Sequence, residues 1–184
     1  MPAQKIDKET IINASITLIK NELPLSARNI AKRLQCSTGP IYYLYKNMQE
    51  LEHDINLAVE DIFKNYIKKY IATSPEYKAY GLAFVNFAKT EKQLFKHLYL
   101  ENPISNNNPF HEWLQAGTIK AVANALNITF DEATKFQSNM NVFTFGLAMM
   151  QYFNMNLSDA EISNALSQEY FALIKLNKEN KWKT

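Results

Sequence analysis

Residues 26–51 read Ser26-Ala27-Arg28-Asn29-Ile30-Ala31-Lys32-Arg33-Leu34-Gln35-Cys36-Ser37-Thr38-Gly39-Pro40-Ile41-Tyr42-Tyr43-Leu44-Tyr45-Lys46-Asn47-Met48-Gln49-Glu50-Leu51. A hydroxyl suited to capping comes first, and Ala27, Ile30, Ala31 and Leu34 follow at helical spacing. A short helix therefore runs from Ser26 through Leu34 with those four on its inner face. Gln35 and Cys36 make a turn. Ser37-Thr38-Gly39-Pro40 opens a second short helix, because a hydroxyl cap precedes a proline tolerated in a first turn whose amides have no intrahelical acceptor. Its body is Ile41 to Tyr45. Asn47-Met48-Gln49-Glu50 has the form of a capping box, and the stripe Leu51, Ile55, Ala58, Ile62 and Tyr66 carries a long helix as far as Ile71.

Upstream, Ile12, Ile16, Ile19 and Leu23 step by four, three and four, which predicts a helix from near Asp7 that stops before Pro24. Downstream, Ser74-Pro75-Glu76 supplies a cap, an N1 proline and a first-turn carboxylate, so a second helical region starts there. Residues 77–101 form one or two helices, the Asn/Pro-rich stretch Asn102 to Pro109 is a loop, and a helix follows from Phe110 to Leu126. Thr129 with Glu132, and Ser158 with Glu161, are capping boxes that open helices over 130–155 and 159–177. No repeat or strand-period segment interrupts the pattern, and the tail from Asn177 is polar. These boundaries divide the chain into 1–46, a linking helix over 47–72, and 73–184.

Composition agrees. The chain has 184 residues, 47% of them hydrophobic, with four glycines and six prolines. That is enough apolar mass for a sizeable core and too few punctuators for a sandwich or barrel, so an all-α fold is expected. The lone Cys36 excludes an internal disulfide and any cysteine metal spacing, and no apolar signal segment follows the polar start; a cytoplasmic, reducing setting is expected. Stretches such as 145–150 fall short of the ~18 residues a membrane span needs.

The net charge of +2 is small, but it is unevenly placed. Residues 1–75 hold ten Lys+Arg against eight Asp+Glu, whereas residues 76–184 hold ten of each. No acid occurs between Glu22 and Glu50, and that gap contains Arg28, Lys32, Arg33 and Lys46. Two short helices joined by a turn, between a preceding helix and a long following one, are the parts of a helix-turn-helix DNA reader, and the basic window falls on them. Small or polar residues at the start of the second short helix, here Ser37, Thr38 and Gly39, would let the backbone approach a major groove.

In register, Ser26 to Ala31 and Leu34 to Leu51 resemble the N-terminal domain of TetR/AcrR regulators. That family's pattern is a hydroxyl followed by Ile-Ala, and later Leu-Gly-Val-Ser-x-Gly-x-Leu-Tyr-x-His-Phe-x-Ser-Lys-x-x-Leu. The resemblance spans roughly residues 8–55, and it implies an N-terminal three-helix bundle followed by a helical effector-binding and dimerisation domain. It implies a DNA-binding face of Ser26, Arg28, Ser37, Thr38, Gly39, Pro40, Tyr42, Tyr43 and Lys46. In that face Arg28 would reach a guanine edge or a phosphate, Thr38, Gly39, Pro40 and Tyr43 would face the groove, and Tyr42 and Lys46 would hold phosphates. Ile30, Ala31, Leu34, Ile41 and Tyr45 would pack inside. Three positions depart from the pattern: Gln35 for the turn glycine, Leu44 for a histidine, and Met48 for a phosphate-reaching lysine. Read from the residues alone, Arg28 and Lys46 also fit solvated surface charges, and tyrosine rings at 42 and 43 also fit a core.

The C-terminal region is rich in large apolar groups, most of them core. As a set, Phe84, Phe87, Phe95, Tyr99, Trp113, Phe136, Met140 and Phe143 suit a small hydrophobic effector. In the family the last two helices pair with their copies in a homodimer. Leu147, Met150, Phe153, Ile162, Leu166 and Ile174 are the expected interface here. The resemblance thus implies a homodimeric, ligand-responsive regulator, a repressor released by its effector from a near-palindromic double-stranded DNA operator, with no cofactor and no membrane partner. Eighteen lysines against two arginines fit an AT-rich bacterial genome. An enzyme is disfavoured, since the three histidines form no metal or acid–base motif and no glycine-rich phosphate loop occurs. The competing expectation is a helical ligand-binding or interaction protein of the same fold with degenerate DNA binding, raised by Gln35 and Met48.

Overall fold

The caps written into the sequence set where the helices begin. In the computed structural model, which describes residues 6–101 and 109–178, the Asp7 carboxylate accepts from the Thr10 amide at 2.8 Å and opens α1, Lys8–Lys20. Ser26 accepts from the Asn29 amide at 3.2 Å and opens α2, Ala27–Arg33, while Asn29 returns its amide to the Pro24 carbonyl. α3 is Gly39–Leu44; its N-cap Thr38 makes no side-chain capping bond, so the expected hydroxyl cap gives way to Pro40, whose fixed φ starts the helix. The Asn47 side chain accepts from the Glu50 amide at 2.9 Å and opens α4, Met48–Ile71, but the Glu50 carboxylate takes the Lys46 amide rather than closing a box on Asn47.

Among the described residues all regular elements are helical and none is a strand. They pack as two units. The described residues up to Ile62, with those from Glu91 to Glu101, form the N-terminal unit, and the rest form the C-terminal unit. The division falls inside α4 and gives residues 91–101 to the N-terminal unit, unlike the boundaries at 46 and 72 drawn from the sequence.

The N-terminal unit contains α1, α2, α3, the first half of α4, then α6, Lys92–Lys96, and a π-helical turn, His97–Glu101. Its core holds Ile11, Leu18, Ile30, Ile41, Tyr45, Leu51, Ile55, Leu94 and Phe95, each almost fully buried. Each aliphatic side chain contributes about 1.5–3 kcal/mol by leaving water. Two stripes differ from the sequence expectation. α1 buries Ile11, Ala14, Ser15 and Leu18, leaving Ile12, Ile16 and Ile19 half-buried and Leu23 exposed. The small Ala14 and Ser15 admit a close neighbour, and the Ser15 hydroxyl is satisfied by donating to the Ile11 carbonyl at 2.8 Å. α4 begins with Leu51 and Ile55 as expected, but continues by steps of four through Val59, Phe63 and Ile67 instead of Ala58, Ile62 and Tyr66.

In the C-terminal unit α5, Glu76–Thr90, is the central element and packs on α7, Pro109–Leu126, α8, Phe130–Tyr152, and α9, Asp159–Lys178. Seven of its residues are buried, three of them alanines (Ala79, Ala83, Ala88) that let neighbouring helices come close. Phe63 lies against Phe84, Phe87 and Phe110 with ring centroids 6.0, 5.0 and 5.9 Å apart, and Phe110 stacks on Trp113 at 5.8 Å. A second group joins Tyr77, Phe136 and Tyr170, with the Tyr77 hydroxyl donating to Gln137 at 2.7 Å. Lys89 ties α5 to the start of α9 through Asp159 at 2.8 Å and the Leu157 carbonyl at 3.1 Å. Both capping boxes are formed, Thr129 with Glu132 and Ser158 with Glu161. α8 ends at Tyr152, short of 155, because Asn154 turns left-handed at φ 64°. The loop expected over 102–108 and the tail from 179 lie outside the described residues.

Candidate functional site

The turn between α2 and α3 is built without glycine. Gln35 adopts φ 53°, its amide donates to the Lys32 carbonyl at 3.3 Å, and the Cys36 amide donates to the Ala31 carbonyl at 3.0 Å. Those two bonds make a Schellman cap, which satisfies the last carbonyls of α2 and needs a left-handed residue at this position. The departure Gln35 thus takes the backbone conformation a glycine would take.

Beyond the turn, the α3 side chains divide cleanly. Ile41 and Tyr45 are buried, whereas Tyr42 is 54% and Tyr43 88% exposed. That division removes the core alternative for both tyrosines at 42 and 43. Arg28, Ser37, Gly39 and Lys46 are exposed as well, and Ser26, Thr38 and Pro40 are half-buried. Arg28, Lys32, Arg33 and Lys46 are all exposed, and among the described residues none of the four is held in an ion pair. The unit thus presents an acid-free, cationic and aromatic surface across α2, the turn and α3.

Tyr45 anchors that surface from behind. Its ring is 1% exposed, Lys8 Nζ sits 4.5 Å above it, and the same ammonium meets Asp54 at 3.2 Å. Burial first, then the carboxylates of Asp54 and Glu50, hold the phenol well above its ordinary pKa, so it stays neutral. α1, α3 and α4 are pinned together at this point.

The residues expected to line an effector site are divided between the two units, and those of the C-terminal unit fall mostly into separate aromatic groups. Phe95 and Tyr99 pair at 5.1 Å within the N-terminal unit, whereas the other six belong to the C-terminal unit. Phe84, Phe87 and Trp113 join the cluster around Phe63 and Phe110, Phe136 joins Tyr77 and Tyr170, and Phe87, Phe136 and Met140 are buried as core. Of the eight, only Trp113, 46% exposed, offers much of its surface to solvent. Phe63, Phe110, Tyr77 and Tyr170, which organise both clusters, were not singled out from the sequence. Phe63 was accessible there as the fourth-residue successor of Val59.

Three of the expected interface residues, Leu147, Ile162 and Leu166, are buried inside their own unit, so they cannot form an outer face. Met150 and Ile174 are half-buried, and Phe153 is exposed. Besides Phe153, the outward apolar residues are Phe130, Val142, Phe145 and Met155 on and after α8, with Phe171 and Leu176 on α9. Gly146 sits amid them, and a Cβ placed there would meet nothing within 4 Å.

Among the described residues no helix is long and apolar enough to cross a membrane, and no three potential metal ligands cluster. Neither a protein-family model nor a curated protein matches the chain.

Proposed function

We propose that the chain is a DNA-binding transcriptional regulator of the TetR/AcrR kind, working as a homodimer whose grip on a near-palindromic operator is altered by a small hydrophobic effector. The observation that carries this reading is the α2–turn–α3 surface. The acid-free interval between Glu22 and Glu50 lies on it, with Arg28, Tyr42, Tyr43 and Lys46 turned outward over a core of Ile30, Ile41 and Tyr45. On this reading Lys46 and the Tyr42 hydroxyl hold phosphates, which position the protein without reading sequence. Arg28, Thr38 and Tyr43 meet base edges, where a good bidentate arginine contact discriminates by about 1–3 kcal/mol.

Two copies give the reader its spacing. A two-fold dimer through the exposed apolar residues of α8 and α9 would set two readers about one DNA turn, roughly 34–36 Å, apart or somewhat more. α4, continuous from Met48 to Ile71 and shared by both units, is the candidate lever. An effector acts through it only to the extent that it binds one state better than the other.

The alternative, a helical binding protein with a lost DNA contact, rested on Gln35 and Met48. Gln35 makes the turn, which leaves Met48 as its only support.

The test is fluorescence anisotropy on DNA from directly upstream of the chain's own gene, against scrambled DNA, between about 50 and 200 mM salt. A preference of about a thousandfold with a steep salt slope is expected, with Lys46→Ala lowering that slope by about one and Arg28→Glu abolishing binding. Unchanged affinity in Arg28→Glu would remove the reading's main support.

A further inference from the structure

From Cys36 to Tyr45 the chain carries no charged, amide or imidazole side chain. Gln35, in the turn, and Lys46, after the helix, stand on either side of that interval, so the basic groups of this surface lie beside α3 and not on it. The side chains that α3 and its cap leave open are Tyr43, 88% exposed, Tyr42, 54% exposed, and the half-buried Thr38 and Pro40, with Ser37 exposed just before them. Thr38 makes no side-chain capping bond, so its hydroxyl is not spent on the helix. Ile41 and Tyr45, buried on the opposite side, fix which way α3 faces.

These side chains limit what α3 can recognise in a major groove. Guanine is read there by arginine or lysine, adenine by asparagine or glutamine, and cytosine by aspartate or glutamate. Residues 36–45 supply none of the six. Their hydroxyls both donate and accept, so they bond to any base edge and separate the bases poorly. What remains is apolar contact, and the thymine C5-methyl is the apolar group a base edge offers in that groove.

We propose, resting on the DNA-binding reading above, that α3 identifies thymine by its methyl group, with the Tyr43 ring as the principal contact. The half-site under α3 is accordingly rich in thymine, and Arg28 on α2 is its guanine reader. Charge complementarity selects the occupant. Arg28, Lys32, Arg33 and Lys46 are exposed around α3 with no acid between Glu22 and Glu50, so a polyanion is drawn to the surface that carries these rings. Tyr43 has almost its whole ring in solvent, and seating it against a methyl group removes apolar area of both partners from water. The same exposure means that the fold does not depend on this ring, so it can be replaced without unfolding the unit.

The experiment selects bound sites from random double-stranded DNA with the full chain. Fluorescence anisotropy then compares the selected site with a copy carrying deoxyuridine for thymine, which removes the methyl and keeps the base pairing. Thymine is expected to dominate the half-site, and each methyl removed under α3 is expected to weaken binding about fourfold, the worth of one buried carbon. Tyr43→Ala is expected to lose that uracil penalty at the positions its ring covers, and Tyr43→Phe, which keeps the ring, to retain it. The proposal is overturned, with the DNA-binding reading intact, if the selected site is specific but rich in G·C pairs under α3, if the uracil copy binds as tightly, or if Tyr43→Ala keeps the full penalty. If no sequence is enriched over the random pool, the DNA-binding reading fails and the proposal falls with it.

Discussion

Replacing Gln35 by glycine should stabilise the N-terminal unit. At φ 53°, Gln35 holds a conformation that costs a side-chain-bearing residue about 1–2 kcal/mol and costs glycine almost nothing. Its side chain is exposed, so little packing is lost with it. Against this gain stands the greater freedom of glycine in the unfolded chain, worth about 0.5–1 kcal/mol. The net expectation is about 0.5–1 kcal/mol in favour of Gln35→Gly, since both Schellman bonds, Gln35 to Lys32 and Cys36 to Ala31, are backbone bonds the variant keeps. Both tryptophans, Trp113 and Trp182, lie outside this unit's first 62 residues, so fluorescence is a poor reporter. Amide exchange of Ile30 and Ile41 reads the unit directly, and it should slow about two- to fivefold in Gln35→Gly. Gln35→Val, whose β-branched side chain suits φ above zero least, should exchange faster than the wild type. Faster exchange in the glycine variant, or an unharmed valine variant, would mean that the turn is not held left-handed.

Phe63→Ala should cost about 3–5 kcal/mol in denaturant unfolding, because a fully buried ring touching three other phenylalanines leaves a cavity; a loss under about 1 kcal/mol would dissolve the cluster's central role. Gly146→Ala should raise the stability of the dilute chain by about 0.5–1 kcal/mol, as a helix-interior glycine with open space around its Cβ position, while weakening self-association in sedimentation. A variant that is destabilised when dilute would show that this surface is already covered. The carboxyls of Glu132 and Glu161 are held below their ordinary value of 4.5 by hydrogen bonds from Thr129 and Ser158. Their folded pKa is lowered, so the caps are complete above the unfolded value and are lost as pH falls through the folded one. The Thr129 and Ser158 amide resonances should follow titrations with midpoints under 4.5, and midpoints at or above it would break the argument.

Helix starts were legible because each is a local transaction between a side-chain oxygen and an amide three residues on. Asp7, Ser26, Asn47, Thr129 and Ser158 accept such bonds with no help from the rest of the fold. Helix ends were less so. Scarce glycine correctly pointed to long helices, yet none of the glycines takes a left-handed turn; Glu22, Gln35, Asn127, Asn154 and Asn156 do. A backbone amide closing onto a carbonyl five residues back leaves no mark on residue type when a polar residue bears the strain. Buried faces were half legible for a different reason. In α1 and α4 more than one apolar stripe exists at helical spacing, and the choice of Ile11 over Ile12, or Phe63 over Ile62, is made by the neighbour each helix meets.

The same logic separates the two candidate sites. The α2–turn–α3 surface could be read residue by residue because chain order brings it together: Arg28 and Lys46 are eighteen positions apart, and the capped turn between them is short. The aromatic set from Phe84 to Phe143 could not, since Phe84, Trp113 and Phe136 come from three separate helices whose contacts are decided by packing. Tertiary choice placed Phe87, Phe136 and Met140 in the core and left Trp113 against Phe110, with Lys64 Nζ 5.9 Å from its ring. Of the proposed effector residues, the Trp113 indole with Lys64 beside it is therefore the one most open to an aromatic ligand, since Phe63, Phe87 and Phe110 are buried.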